Sequence, residues 1–168
     1  MNVAVFIDGA NYFYMQKKLG WHIDAQKLLD YCAAHYGTVE DAYYYTGKEN
    51  VPDGQQSAYL TALSSMGYSL VTKPIKTIYD HESGGTKQKA NLDVEIVLDM
   101  FNTIDNYDMA VLVSGDGDFE RALHILKSRG KKFKVISTGG MVAKEIRQIC
   151  GMHFIDFQDI RANVERIN

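Results

Sequence analysis

The sequence predicts an α/β domain, with a mostly parallel central sheet and helices on both of its faces. Three observations carry that expectation. Short apolar runs alternate with stretches of helical periodicity almost throughout the chain. The run Met109–Val113 is apolar without interruption, as suits a strand buried on both faces of a parallel sheet. Glycines follow several helical stretches, at Gly37, Gly67 and Gly130, where a left-handed residue commonly ends a helix.

Taken in order, Val3–Ile7 reads as a first buried strand that ends at Asp8. A turn over Gly9-Ala10-Asn11 follows, then a short helical or looped piece holding Tyr12, Phe13 and Tyr14. Asp24 is placed to cap a helix whose apolar face is Ala25, Leu28, Leu29, Cys32 and Tyr36. Ala42–Tyr45 is β-prone and gives a second strand. After a break at Pro52-Asp53-Gly54, Tyr59, Ala62, Leu63 and Met66 mark a helix, and Ser69–Thr72 a third strand.

The pattern weakens from Lys73 to Lys89, where Ile75–Tyr79 reads as a short edge strand. Glu82-Ser83-Gly84-Gly85 reads as the tip of a hairpin or of a mobile loop. A helix follows with Val94, Val97, Leu98 and Phe101 on one face. After Met109–Val113, a helix to Ser128 carries Phe119, Ala122, Leu123 and Leu126 at i, i+3, i+4 and i+7. Lys134–Ser137 is a fifth strand, Val142–Ile149 a helix, His153–Ile155 a last short strand and Asp159–Ile167 a closing helix. No repeat or linker divides the chain, so residues 1–168 read as one domain.

The totals narrow the function classes. With 168 residues, 46% hydrophobic and 23% charged, the composition is that of an ordinary globular domain. Cys32 and Cys150 each sit among apolar neighbours without a partner at metal-binding spacing, which argues against a zinc site or a disulfide framework. A reduced, cytoplasmic protein is expected. The N-terminus runs straight into the first strand without the pattern of a signal peptide, and no run is long enough to span a membrane. A formal charge of −3 would ordinarily argue against nucleic acid. Setting aside four aspartates held by a cation turns the remainder positive, so net charge does not decide the partner.

The chemistry concentrates in carboxylates. Ser114-Gly115-Asp116-Gly117-Asp118 follows the apolar run and precedes a helical pattern, at the strand-to-helix turn where open α/β sheets keep their ligands. Asp8 ends the first strand in the same way. If the two strands are neighbours, all three carboxylates converge at one sheet edge. Asp93, in the first turn of its helix, flanks the apolar stripe centred on Val94 and Val97 and can lean over that edge. Any one of these acids could be a cap or a turn residue. Together they could not stay ionised at pH 7 without a counter-charge, and a hard cation such as Mg²⁺ or Mn²⁺ prefers oxygen ligands of this kind. Such a site suits phosphoryl chemistry, and no Cys or Ser–His pair offers a rival nucleophile.

The segments Phe6-Ile7-Asp8-Gly9-Ala10-Asn11, Lys89-Ala90-Asn91-Leu92-Asp93-Val94 and Val113-Ser114-Gly115-Asp116-Gly117-Asp118-Phe119 resemble the three motifs of the NYN domain family, including its LabA-like branch. They stand in the family's order and span essentially the whole chain. The resemblance implies a PIN-like Rossmannoid fold, with strand order near 3-2-1-4-5, and Mg²⁺- or Mn²⁺-dependent hydrolysis of RNA through a metal-activated water. Carried over by position, Asp8, Asp93, Asp116 and Asp118 would be the catalytic, metal-binding acids. Asn11 would orient a water or phosphate, Ser114 would hydrogen-bond at the site, and Lys89 would contact the RNA backbone. Asp99 matches a further acidic position but falls on the polar side of its helix. The sequence has Asn91-Leu92 where the branch commonly has Gly-Val, and Gly117 where Ser is common. The resemblance also allows a homodimer, although no pattern marks its surface.

Other features weigh less. Arg121, Lys127, Arg129, Lys131, Lys132 and Lys134 form a stretch without an acid that would suit a polyanion, or simply a helix end that favours cations. Lys73, Lys76, Lys87 and Lys89 precede the second motif. Tyr12, Tyr14 and Trp21 follow the first and could stack bases, or belong to the core, as Tyr43–Tyr45 are expected to do. Gly115-x-Gly117 is no dinucleotide fingerprint, since acids fill the phosphate path. A Toprim-like phosphodiesterase would want a glutamate where Asp8 stands. The alternative from a different class is a non-catalytic RNA-binding or regulatory module.

Overall fold

The computed structural model describes residues 1–48, 54–79, 81–82 and 84–167, with the side chains of 77–78 and 86–89 also outside the description. The break expected at Pro52-Asp53, and Ser83 of the expected hairpin tip, lie outside the described residues. In chain order the elements are β1 (Asn2–Asp8), α1 (Gly9–Leu19), α2 (Ala25–His35), β2 (Thr38–Lys48), α3 (Gly54–Ser65) and β3 (Ser69–Pro74). They continue with β4 (Lys76–Tyr79), β5 (Thr86–Lys89), α4 (Asp93–Asn102), β6 (Met109–Val113) and α5 (Glu120–Ser128). The chain closes with β7 (Lys132–Ser137), α6 (Lys144–Cys150), β8 (Phe154–Asp156) and α7 (Arg161–Val164).

Six strands form one sheet in the order β3-β2-β1-β6-β7-β8, parallel at every pairing. The first five strands thus stand in the order that the family resemblance implies, and the last short strand, expected at His153–Ile155, is β8 at the edge. Alternation along β1 divides the core. Val3, Val5 and Ile7 face α1, α2, α3 and α7, while Ala4 and Phe6 face α4, α5 and α6. Strand β6 alternates likewise, with Met109, Val111 and Val113 on the first face and Ala110 and Leu112 on the second. Burial on both faces is why its sequence carries no polar residue.

Several expectations shift. The turn after Asp8 does not exist: α1 starts at Gly9 and runs eleven residues, because Asp8 is itself the cap and accepts the Asn11 N–H. Of the two readings of the Lys73–Lys89 stretch, the hairpin holds: β4 pairs antiparallel with β5, as a sheet of its own and not at the edge of the main one. In α3 the buried residues are Leu60 and Leu63, while Tyr59 stays partly exposed and donates its hydroxyl to Tyr44 Oη at 3.2 Å.

The largest correction is α4. Its inward stripe is Leu92, Ile96 and Met100, and Val94 and Leu98 stand 66% and 63% exposed. Apolar residues surround this helix on several sides, so periodicity allowed two faces; the i, i+4, i+8 row that packs on the sheet is the one that won. The rotation leaves Asp93 at the sheet edge.

Candidate functional site

The site grows from the pairing of β1 with β6. Ile7 lies opposite Val113, so the next residues, Asp8 and Ser114, meet side by side as both strands end. Asp8 is only 9% exposed, and each of its oxygens has a partner. Oδ1 accepts the Asn11 N–H at 3.3 Å, and Oδ2 accepts the Ser114 hydroxyl at 3.0 Å. Ser114 Oγ accepts the Asp116 N–H at 3.2 Å in turn, and Asn11 Oδ1 accepts the Gly115 N–H at 3.1 Å. Two strand ends and one helix start are thereby tied into a single network.

The loop after β6 requires a glycine at position 115. A Cβ on Gly115 would collide with the Met141 carbonyl and come within 2.7 Å of Ser137 Oγ. One on Gly9 would meet the Tyr45 carbonyl, so α1 can start against β2 only from a glycine. Asp116 then caps the turn that follows, its Oδ1 accepting the Asp118 N–H at 2.9 Å. Capping by Asp116, not by Asp118, leaves the Asp118 carboxylate exposed.

From the other side, α4 presents Asp93. The Asn91 side chain accepts the Asp93 N–H at 2.9 Å, and Leu92 is buried in the core. The Asn-Leu pair that departs from the LabA-like pattern therefore fixes the entry into this helix. Oxygen atoms of Asp93, Asp116 and Asp118 lie within 4.8 Å of one another, close enough to ligate one ion. Asp8 stands behind this trio rather than within it.

Crowding has an electrostatic price. Burial, then the charges of Asp8 and Asp116, a hydrogen bond with Asp116 and the charge of Asp118 push the Asp93 pKa up from 3.8 to about 7. Burial also raises Asp8, opposed by the Asn11 N–H and the Ser114 hydroxyl and reinforced by the Asp116 charge. Three oxygen donors in this spacing, two of them half-buried, fit a hard divalent cation, and the donor set contains no sulfur or imidazole that would select a softer metal.

A cleft of about 270 Å³ opens beside the acids, lined by Asp8, Asn11, Tyr14, Tyr45, Asp93 and Asp116 among others. Tyr45 donates its hydroxyl to Asp99 at 2.9 Å, which assigns Asp99 a wall-bracing contact outside the trio. Tyr14 is 57% exposed, edge-on to Phe13 at 5.6 Å, and the Lys17 ammonium lies 4.7 Å from the Phe13 ring centre. Tyr12 and Trp21 are buried in the core. Tyr45 and Asn91 were missed by sequence reasoning; only the place of the first at the end of the strand expected at Ala42–Tyr45 and the motif position of the second could have signalled them.

Among the described residues, no lysine or arginine lines the acidic cleft. Lys73 is paired with Glu95 at 2.8 Å. Lys89 is placed by its backbone opposite Lys76 in the hairpin, and its side chain, like that of Lys87, lies outside the described residues. Lys127, Lys131, Lys132 and Lys134 line a different cleft at the opposite edge of the sheet, beside Met109.

Fold and site together define a doubly wound α/β domain with an acidic, cation-ready cleft at its topological switch point. Residues 2–160 match the NYN domain, and the chain belongs to that family of PIN-like domains. It is 45% identical to the low amplitude and bright protein LabA of Synechococcus elongatus, over 98% of this chain and 88% of that protein. The crystal structure of a Vibrio parahaemolyticus protein of unknown function superposes with a TM-score of 0.80 at 23% identity, covering 98% of this chain and 96% of that one, a likeness of fold. Among the described residues no helix is long and apolar enough to cross a membrane.

Proposed function

We propose that the protein is a Mg²⁺- or Mn²⁺-dependent ribonuclease that hydrolyses RNA phosphodiester bonds at the Asp93–Asp116–Asp118 cluster. The observation that carries this reading is the cluster itself: three carboxylate oxygens within 4.8 Å, at the mouth of a cleft, in a domain of a PIN-like family. Asp93, Asp116 and Asp118 would hold the cation. Bound there, it would supply Lewis acidity to the phosphate and lower the pKa of attacking water.

The chain's own residues have distinct tasks in this scheme. Asp8 and Ser114 hold the Asp116 loop against the end of β1, and Asp8 adds negative field behind the trio. Asn11 fixes the Gly115 amide and turns the remaining face of its side chain toward the cleft, where a phosphate or water would be oriented. Tyr14, with Phe13 and Lys17 beside it, offers an exposed ring and a cation to an unpaired base and its phosphate at the rim. Lys89 is assigned to the RNA backbone from its motif position.

The test is cleavage of an end-labelled, mixed-sequence single-stranded RNA in Mn²⁺, Mg²⁺ or EDTA, with Asp8→Asn/Asp116→Asn as control. Metal-dependent products absent from the control support the reading; intact RNA in every lane across several substrates overturns it. A second reading, RNA binding or regulation without turnover, is favoured by Asp8, whose two oxygens are both already engaged within the protein. Metal-dependent retention of intact RNA would carry that alternative.

A further inference from the structure

A second concave site lies at the N-terminal edge of the sheet, and it has the opposite electrostatic character. This cleft, of about 390 Å³, is lined by Lys127, Lys131, Lys132 and Lys134 together with His153, Phe133 and two aliphatic side chains. No Asp or Glu lines it, and among the described residues none of the four lysines has a carboxylate within ion-pair distance. Asp108, next to Met109 in the chain, accepts the Asn2 N–H at 2.7 Å.

The four ammonium groups are not equivalent. Lys131 donates to the Tyr107 carbonyl at 2.7 Å and lies over that ring, so it is anchored. Lys134 donates to His153 Nδ1 at 3.0 Å. An ammonium can only donate, so Nδ1 must carry the lone pair and the imidazole proton must sit on Nε2, where it is available as a donor. Burial and the charges of Lys134 and Lys127 favour that neutral ring. Lys127 and Lys132 make no side-chain hydrogen bond or ion pair among the described residues, leaving two uncommitted cations and one neutral N–H donor around one space.

Besides cations, the cleft has one exposed ring, the His153 imidazole. It sits edge-on against the buried Phe133 ring, with ring centres 6.4 Å apart. Inorganic phosphate would use the ammonium groups and leave that imidazole idle, whereas a nucleotide would use both. The volume also falls within the range of small-ligand sites.

We infer that this cleft binds a phosphorylated nucleotide, its phosphate held by Lys127 and Lys132 and its base set against His153. The nucleotide can come from a free mononucleotide or from the 5′-phosphorylated end of an RNA, since the recognised chemistry is the same. The site is independent of the ribonuclease reading: strand β6, five residues long, separates it from the acids by roughly 15–20 Å.

Calorimetric titration of the full chain in EDTA tests it, using AMP, inorganic phosphate, and a short RNA with and without a 5′ phosphate. AMP or the 5′-phosphorylated RNA should bind the wild type and Asp116→Asn alike. Affinity should fall about tenfold or more in Lys127→Gln/Lys132→Gln, whose circular dichroism melt checks the fold. Loss of AMP binding in that variant identifies the free nucleotide as a ligand; loss confined to the 5′-phosphorylated RNA identifies the RNA end. The inference is overturned if phosphate alone binds as tightly as AMP, if no probe binds, or if the double variant binds as the wild type does.

Discussion

The two edges of the sheet are built from the same strands and carry opposite chemistry. At the C-terminal edge, three carboxylates crowd within 4.8 Å; at the N-terminal edge, four lysines surround a cleft with no acid in its lining. A net charge of −3 conceals this polarity. The difference follows from the architecture. In a parallel α/β layer every helix starts at the strands' C-terminal edge and finishes at the other, so the positive helix ends gather on one side and the negative ends on the other. Lys127 stands in the last turn of α5, and Asp93 in the first turn of α4, each on the side its helix favours. Both edges exceed what the dipoles need, and among the described residues neither the acidic trio nor the lysine cleft has an ion-pair partner.

Asp116→Asn is the strongest way to break the comparison. If the acidic edge is the centre of RNA hydrolysis, cleavage should fall by more than about 100-fold, since removing even an outer-shell partner of a metal ligand costs 10–100-fold. The metal-free melting temperature should hold or rise, because the change removes one charge from a repelling set. A large fall in that temperature would make Asp116 structural instead.

Ser114→Ala should act through position rather than charge. It strips Asp8 of a buried partner and frees the Asp116 N–H, for an expected loss of about 1–3 kcal/mol in urea unfolding. Loss below a few tenths would mean that water replaces the hydroxyl.

Acidity sharpens the contrast further. In the fold Asp93 keeps its proton up to about pH 7, while the unfolded chain releases it near 3.8. Across that window the unfolded state binds fewer protons, so the metal-free protein should lose stability as pH rises from about 4 to about 7, then level off. Asp8, also raised, works in the same direction. Melting curves in EDTA should show the decline, Asp93→Asn should flatten it, and Mg²⁺ or Mn²⁺ should oppose it by favouring the carboxylates.

The smallest effect belongs to the basic edge. Lys127→Gln/Lys132→Gln should leave unfolding free energy within about 0.5 kcal/mol of wild type, as for surface changes that break no native contact. A gain in stability would mean that mutual repulsion among the lysines is the larger force there.

Much of this was legible in the sequence. The β1 and β6 runs are apolar because both faces of each strand are covered, so their ends, Asp8 and Ser114, could be placed at one edge before any coordinates. What the pattern could not convey was direction in α4. With Val94, Ile96, Val97, Leu98, Met100 and Phe101 in one helix, the inward row is chosen by packing on the sheet, not by periodicity. Cap chemistry was also ambiguous, since Asp116 and Asp118 are equally good caps and only the loop geometry assigns the role to Asp116. The lysine stretch was visible as composition, but its edge depends on where α5 ends.

The pairing of Ile7 with Val113 carries one more consequence. A slip of β1 against β6 by a single residue would exchange the two buried faces of β1, setting Ala4 and Phe6 where Val3, Val5 and Ile7 pack, and would also separate Asp8 from Ser114 and Asn11 from Gly115. The acidic site therefore exists only in a correctly aligned sheet. A cation bound at the trio would therefore check folding: misaligned chains would be unable to assemble the three carboxylates, and only aligned ones would gain stability from the ion.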